Sequence, residues 1–405
     1  MKTVALIGTF DSKGTEYQYI KKLLEGLDLN VFTIHTGVYE ASFVPDVDVS
    51  EIAKEVDEEI SEIRERHDRA FATKVLSKGL EKLLPKLYAQ DLFDGVLSFG
   101  GTGGTSLVAP GMRKLPLGVP KLIVSTVASG DTSVYVGTSD IIMMPSIVDV
   151  SGLNKISKRI FANAVSAMAG LIKDHIVIEE DERPLIAATM FGVTTPAVNF
   201  ARAYLEKNGY EVLVFHATGV GGKTMESLIS EGYFAGVLDL TTTELADELV
   251  GGILSAGKRR LEAASLTQTP QVVSLGALDM VNFGPFELIP KKFENRTFYR
   301  HNPTVTLMRT TVEENMELGK VIAEKLNLAQ ERTVLIIPNA GFSAIDVAKE
   351  PFYNPEADQA LIYALKEHIE NDKVTVIDKD LAINDKEFAE FSAKQLIDLI
   401  SERER

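Results

Sequence analysis

Between residues 95 and 106 an apolar run, Val96-Leu97-Ser98-Phe99, stops at Gly100-Gly101-Thr102-Gly103-Gly104-Thr105-Ser106. The run reads as a strand buried on both faces, and its abrupt end reads as a strand-to-helix glycine loop. Glycine lets a backbone take positive φ and bring bare N–H groups close to a ligand, while the hydroxyls add donors suited to a phosphate. A short helix expected over 106–112 would aim its N-terminal dipole at the same place. A tight turn without a ligand is the competing reading of the loop taken alone.

The segments before this strand place it in a parallel sheet. Residues 3–7 form a near-continuous apolar run that ends in Gly8-Thr9-Phe10-Asp11-Ser12-Lys13-Gly14-Thr15. Tyr17, Ile20, Leu24 and Leu27 then recur at helical spacing, and a second strand over 29–34 closes at His35-Thr36-Gly37. This is a βαβ unit, whose ligands gather at the carboxyl ends of the strands. A charge-rich amphipathic helix is expected from Ser50 to Arg66, carrying Ile52, Val56, Ile60 and Ile63 on one stripe. The cluster Arg64-Glu65-Arg66-His67-Asp68-Arg69 precedes another helix over 70–84, and one of its arginines could fold over a phosphate. Further strands are expected at 121–126 and 140–144, and an alanine-rich helix capped by Ser151 should run to Lys173.

With 405 residues the chain is too long for one ordinary core, and the acidic crossing over 174–183 marks the boundary between domains 1–180 and 181–405. The second half repeats the grammar of the first. Apolar runs at 185–190, 212–216, 236–240, 271–274, 304–308, 333–337 and 373–377 alternate with helical patterns, which implies a second parallel α/β sheet. The expected fold is therefore two Rossmann-like α/β domains with mainly parallel sheets and an inter-domain cleft. Within the second half Ala217-Thr218-Gly219-Val220-Gly221-Gly222-Lys223-Thr224 lacks only the first glycine of a phosphate loop, and Asp239 could stand for its magnesium-holding aspartate. Thr241-Thr242-Thr243-Glu244 reads most simply as a helix N-cap with an acidic first turn, and His216 as a core histidine.

A formal charge of −16 argues against a nucleic-acid surface, and the lack of cysteine removes disulfides, thiolate metal sites and a cysteine nucleophile. The apolar run at residues 4–7 is too short for a secretory h-region, and no window is apolar enough for a membrane span, so a cytoplasmic protein is expected.

Several long runs are collinear with a known family: Gly100-Gly101-Thr102-Gly103-Gly104-Thr105, Val124-Ser125-Thr126-Val127-Ala128-Ser129-Gly130-Asp131, Tyr135-Val136-Gly137-Thr138-Ser139-Asp140-Ile141, His216-Ala217-Thr218-Gly219, and Gly276-Ala277-Leu278-Asp279-Met280-Val281-Asn282. Over essentially its whole length the chain resembles the family of the N-terminal region of the tomato mosaic virus resistance protein. The resemblance implies two Rossmann-like domains, an ATP site in the first, a tendency to form homodimers, and an activity that is undefined. The implied nucleotide contacts are Asp11, Ser12 and Lys13 after the first strand, Thr36 after the second, Arg69 at a helix start with Arg66 as its rival, and Gly101, Thr102, Gly103 and Gly104 after the third. Lys223 falls where relatives vary, and Asn339 stands where many carry a basic residue.

Two kinds of function fit these features. One is an ATP-dependent enzyme, with magnesium neutralising the phosphates and a small-molecule substrate in the cleft against Asp279, Asn282 and His301 as catalytic residues. Against that role, Asn and Asp at strand ends commonly make local backbone hydrogen bonds. The other is a nucleotide-gated binding module without chemistry of its own. Plant relatives carry this region fused to a TIM-barrel-like domain resembling phosphoenolpyruvate hydrolases, which makes a separate barrel protein a partner to test under either reading.

Overall fold

The computed structural model describes residues 1–173 and 181–403, and the chain divides into two compact units, Met1–Glu179 and Glu180–Arg405. Most of the acidic crossing expected over 174–183 lies outside the described residues. Among the described residues no helix is long and apolar enough to cross a membrane.

Unit 1 is built on five strands: β1 (Thr3–Gly8), β2 (Asn30–His35), β3 (Gly95–Gly100), β4 (Lys121–Ser125) and β5 (Ile142–Pro145). They pair in the order β2-β1-β3-β4-β5, parallel throughout. The helices are α1 (Gly14–Glu25), α2 (Val49–Lys54), α3 (Ile60–Glu65), α4 (Arg69–Ala89), α5 (Thr102–Met112), α6 (Ser133–Val136) and α7 (Lys155–Lys173). Strand side chains alternate between the faces of the sheet. Ala5, Ile7, Val96 and Ile123 therefore pack with Ile52, Leu76, Leu80 and Met112 of α2, α4 and α5. Val4, Leu6, Leu97 and Phe99 pack with Ile20, Leu24, Phe161 and Met168 of α1 and α7. Both faces are covered, which is why each strand reads as an unbroken apolar run.

Unit 2 repeats this plan. Its strands are β6 (Leu185–Met190), β7 (Glu211–His216), β8 (Gly236–Thr241), β9 (Gln271–Gly276), β10 (Met280–Phe283), β11 (Phe298–Asn302), β12 (Val305–Arg309), β13 (Thr333–Pro338) and β14 (Val374–Lys379). The helices are α8 (Thr195–Lys207), α9 (Val220–Ser230), α10 (Glu244–Val250), α11 (Ala263–Leu266), α12 (Val312–Leu326), α13 (Pro355–His368) and α14 (Lys386–Arg403). The parallel sheet runs β14-β13-β9-β8-β6-β7, so the first three strands of each unit share one arrangement, with the first flanked by the second and third.

Several elements depart from the sequence reading for identifiable reasons. The run at 304–308 is not in the parallel sheet; β12 pairs antiparallel with β10 and β11 in a separate three-stranded sheet. The single helix expected from Ser50 to Arg66 is two short ones, interrupted where Asp57 takes a φ of 58°. Helix α4 continues through Pro85 to Ala89 because Leu83, Leu84 and Leu87 are buried, and that packing outweighs one missing hydrogen bond. Asn154, not Ser151, caps α7, its side chain accepting from the amides of Ile156 and Ser157 at 2.9 Å each. His216 is exposed rather than a core histidine, because β7 is an edge strand and His216 is its last residue.

The packing of α12 on α13 gives a stability test. A Cβ built on Gly319 would lie 2.5 Å from the Leu361 carbonyl oxygen and 2.8 Å from the Leu365 amide nitrogen, so the helices touch through backbone. Gly319→Ala must push them apart. We expect a loss of about 1–3 kcal/mol, the usual cost of overpacking a tight core, measured by chemical denaturation.

Candidate functional site

In a sheet of this order the chains leaving β1 and β3 cross to opposite faces and open a crevice at their carboxyl ends. In unit 1 that crevice is a cavity of about 450 Å³, within the range of small-ligand sites. Asp11, Ser12, Thr36, Arg69, Gly103 and Gly104 all line it. Three residues named with them do not. Lys13 donates from its ammonium to the Val150 carbonyl, Gly101 is the N-cap of α5 with an extended backbone, and Thr102 is exposed at the first helical position.

The glycines do not form the positive-φ loop expected of them. Gly103 and Gly104 lie in the first turn of α5, and none of the glycines from Gly100 to Gly104 has a positive φ. What glycine supplies here is space. A Cβ on Gly104 would meet nothing within 4 Å, and one on Gly103 would sit 3.0 Å from Nη2 of Arg69. No side chain caps α5, so its first N–H groups face the cavity with the positive end of the helix dipole.

The rest of the wall comes from residues that the sequence reading did not name as nucleotide contacts. Val38 and Tyr39 follow β2, Ile63 and Arg64 come from α3, and Ala72 and Leu76 lie one turn apart on α4. That apolar spacing on α4 was the available signal for a helix face turned inward. Arg64 and Arg69 both line the cavity, and neither pairs with a carboxylate among the described residues; Arg64 is held by donating to the Val38 carbonyl, while Arg66 stacks over the Phe71 ring at 4.1 Å. Asp68 caps α4 through the amides of Ala70 and Phe71. Asp11 is engaged by the amides of Ser12 at 2.6 Å and Tyr39 at 3.1 Å, so it joins the two loops.

The corresponding crevice of unit 2 is filled. Oε1 of the fully buried Glu244, first residue of α10, accepts from Gly219 N–H at 2.6 Å and Gly222 N–H at 3.1 Å. The near-phosphate loop is thus occupied by the protein's own carboxylate, and a Cβ on Gly222 would clash with it at 2.1 Å. Glu244 therefore caps α9 across space, and Thr243 makes no side-chain cap for α10. Asp239 is also engaged, pairing with Arg260 at 2.5 and 2.7 Å and accepting from Thr189 at 2.7 Å. Arg260 is fully buried between Asp239, Glu244 and Glu226; burial works against its charge, and the carboxylates more than offset this, raising its pKa well above the ordinary value. Lys223 is exposed.

The structure does not gather Asp279, Asn282 and His301 around a shared cavity among the described residues. Asn282 is buried and donates to Asp247 at 2.6 Å, whereas His301 is exposed on β11 beside the Tyr299 ring. Asp279 is buried, with Oδ2 accepting from Ser343 at 2.8 Å and Oδ1 without a partner. Beside it Arg309 faces Asp346 and Asp358, which gives three carboxylates to one guanidinium. Burial, then the charges of Asp279 and Asp358, push Asp346 up to about 9; burial raises Asp279 to about 7 against the pull of Arg309. Burial likewise raises Asp247 to about 7.

Two family models cover the chain: the N-terminal domain of the uncharacterised protein family UPF0261 over residues 2–176, and its C-terminal domain over 183–400. The chain belongs to the UPF0261 family. A UPF0261 protein of Clostridium tetani is 51% identical over 98% of this chain and 99% of its own length. The ToMV susceptible protein tm-1(GCR26) of Solanum lycopersicum is 40% identical over 95% of this chain, which spans 54% of the tomato protein. The ToMV resistance protein Tm-1(GCR237) is 46% identical over 79% of this chain. Among solved structures, a UDP-N-acetylglucosamine 2-epimerase from Rickettsia bellii covers 99% of this UPF0261 chain and 96% of its own at 10% identity, but its TM-score of 0.21 is too low to carry an argument.

The acid cluster of unit 2 predicts an unusual pH dependence. Asp346 and Asp279 have folded pKa values raised above the unfolded carboxylate value of about 3.9, so the fold binds their protons more tightly than the open chain. The associated stability is complete below the unfolded pKa and is lost as pH rises through the folded values, about 7 and about 9. Asp346→Asn keeps the acceptor for Arg309 and removes the charge. Its unfolding midpoint should gain on wild type steadily between about pH 6 and 9, measured by thermal unfolding.

Proposed function

We propose that unit 1 binds a nucleotide, ATP with Mg2+, by seating its phosphates at the N-terminus of α5 beside Arg69. The contrast between the two crevices carries this reading. In unit 2 the gap beside the end of β6 is taken by the buried carboxylate of Glu244, which follows β8 and accepts from the amides at the start of α9, the helix after β7. In unit 1 the gap beside the end of β1 holds no such carboxylate and offers the uncapped amides of α5, an arginine and empty space. The residues fit the phosphate part of a nucleotide, and the apolar wall of Val38, Ile63, Ala72 and Leu76 suits a flat ring. Among the described residues no cluster of three or more His, Asp or Glu could hold a metal, so Mg2+ would arrive with the phosphates and keep several waters.

Of the two functional classes we favour a nucleotide-gated binding module acting with a partner. The observation favouring it is the dispersal of Asp279, Asn282 and His301, two of them buried in internal networks. A separate TIM-barrel protein is the partner to try, because this chain spans only about half of the tomato protein. ATP turnover measured with and without such a barrel would speak for the enzyme reading if either mixture hydrolyses ATP catalytically.

Calorimetric titration with MgATP tests the site. Gly104→Asp introduces a carboxylate into open space, so the fold should persist and binding should be lost. Arg69→Ala should weaken binding about tenfold or more, the lower range for a hydrogen bond to a charged group. Lys13→Ala and Lys223→Ala should leave it unchanged. Full affinity in Gly104→Asp with loss in Lys223→Ala would move the site to unit 2.

A further inference from the structure

The floor of the unit 1 cavity is held by a residue that does not line it. His35, last residue of β2, is fully buried and stacks on Phe10 with ring centroids 5.4 Å apart. Its Nε2 lies 2.9 Å from the Tyr39 carbonyl oxygen. A carbonyl only accepts, so Nε2 carries the proton and Nδ1 is left as an acceptor. Nδ1 takes the Phe10 N–H at 3.1 Å and, more weakly, the Gly37 N–H at 3.4 Å. Phe10 leads directly into Asp11 and Ser12, and Gly37 to Tyr39 form the other loop, so one neutral ring joins both loops that border the cavity.

A second proton would reverse these bonds. An imidazolium donates from both nitrogens, and its Nδ1–H would then face two backbone N–H groups with no acceptor between them. The charged and titratable groups around the ring do not supply one. Asp48 at the N-cap of α2 is held below the usual carboxylate range; burial works the other way, but bonds from Ser50 prevail, and its smaller attraction to His35 operates only when the ring is protonated. Asp11 accepts from the Ser12 and Tyr39 amides, Arg64 of α3 donates to the Val38 carbonyl, and Tyr17 of α1 bonds the carbonyls of Ile7 and Phe99. None of them bonds Nδ1. In unit 2 the residue at the same place, His216 at the end of β7, is exposed and makes no such tie.

We infer that His35, as the Nε2–H tautomer, is the positioning residue of this cavity, and that protonating it releases the two loops and weakens ligand binding. The inference rests on the nucleotide reading only for the identity of the ligand. The test uses the full chain, labelled with 15N at histidine, phenylalanine and glycine, and the His35→Asn variant, whose Oδ1 replaces Nδ1 as an acceptor at any pH.

Ring-nitrogen shifts should report Nε2–H, and the Phe10 and Gly37 amides should move in step with the ring as it takes its proton. MgATP affinity of wild type relative to His35→Asn should fall about fivefold as the ring is protonated, the worth of one hydrogen bond. Titration of ATP itself is common to both proteins and cancels in the ratio. An Nδ1–H tautomer, or a ratio that does not change with pH, overturns the inference. If wild type binds no ATP at any pH the nucleotide reading fails, and the amides decide on His35: movement with the ring upholds its role, and amides indifferent to the ring end it.

Discussion

A parallel strand flanked by its two successors forces the chain to leave on one face after the first strand and on the other after the third. The peptide groups that start the next helices then point into a common gap, and their unpaired N–H groups make it electropositive. Each unit must deal with that gap, and almost every polar feature described here follows from how it does so. Unit 2 closes it with Glu244. Unit 1 leaves it open, with two small residues at the start of α5 and an arginine across from them.

Closing the gap has consequences of its own. A carboxylate brought out of water needs donors on every lone pair, and Glu244 finds two amides of the α9 turn and Nε of Arg260. Arg260 then needs more than one partner, and Asp239 and Glu226 supply them. Glu226 in turn accepts from the amides of Leu261 and Ala263, which fixes the segment carrying Arg260 itself. Such a network is costly to interrupt: removing one member of a buried ion pair typically costs about 3–5 kcal/mol, because the others are left unpaired. That explains why the strand ends of unit 2, rich in Thr, Asp and Glu, resemble ligand loops in sequence and yet are solid in the fold.

Much of the architecture was legible because buried parallel strands are unmistakable apolar runs, and all five strands of unit 1 were found. The antiparallel sheet was missed in part because β10 and β11 are short, β10 following β9 after only three residues and β11 following the polar run Glu294-Asn295-Arg296-Thr297, while β12 looks like any other buried strand. Glycine misled in both units: Gly103–Gly104 and Gly221–Gly222 were read as loops and are first turns of helices. In a helix interior glycine costs about 1 kcal/mol relative to alanine, yet at Gly221 and Gly222 the packing needs the absent side chain, and at Gly104 its absence leaves the cavity open. The set Asp11, Ser12, Thr36, Arg69, Gly103 and Gly104 came together because strand order alone brings those loops to one edge. Lys13 did not, since the direction of a side chain past a helix start is not written in spacing.

The buried acids show the limit of inferring chemistry from residue type. Asp279 lies in the short turn between β9 and β10, Asn282 lies within antiparallel β10, and Asp279 has the raised pKa that marks many catalytic carboxylates. Asp279 sits beside Arg309, which also bonds the backbone carbonyls of Phe352 and Asn354, so this cluster ties the small antiparallel sheet to the loop before α13. A raised pKa here is the mark of crowding, three carboxylates around one guanidinium, with the proton serving as the missing countercharge. In unit 1 the order is inverted. There Arg69 stands on a cavity with no carboxylate partner among the described residues, and the nucleotide proposal rests on that cation beside the uncapped start of α5.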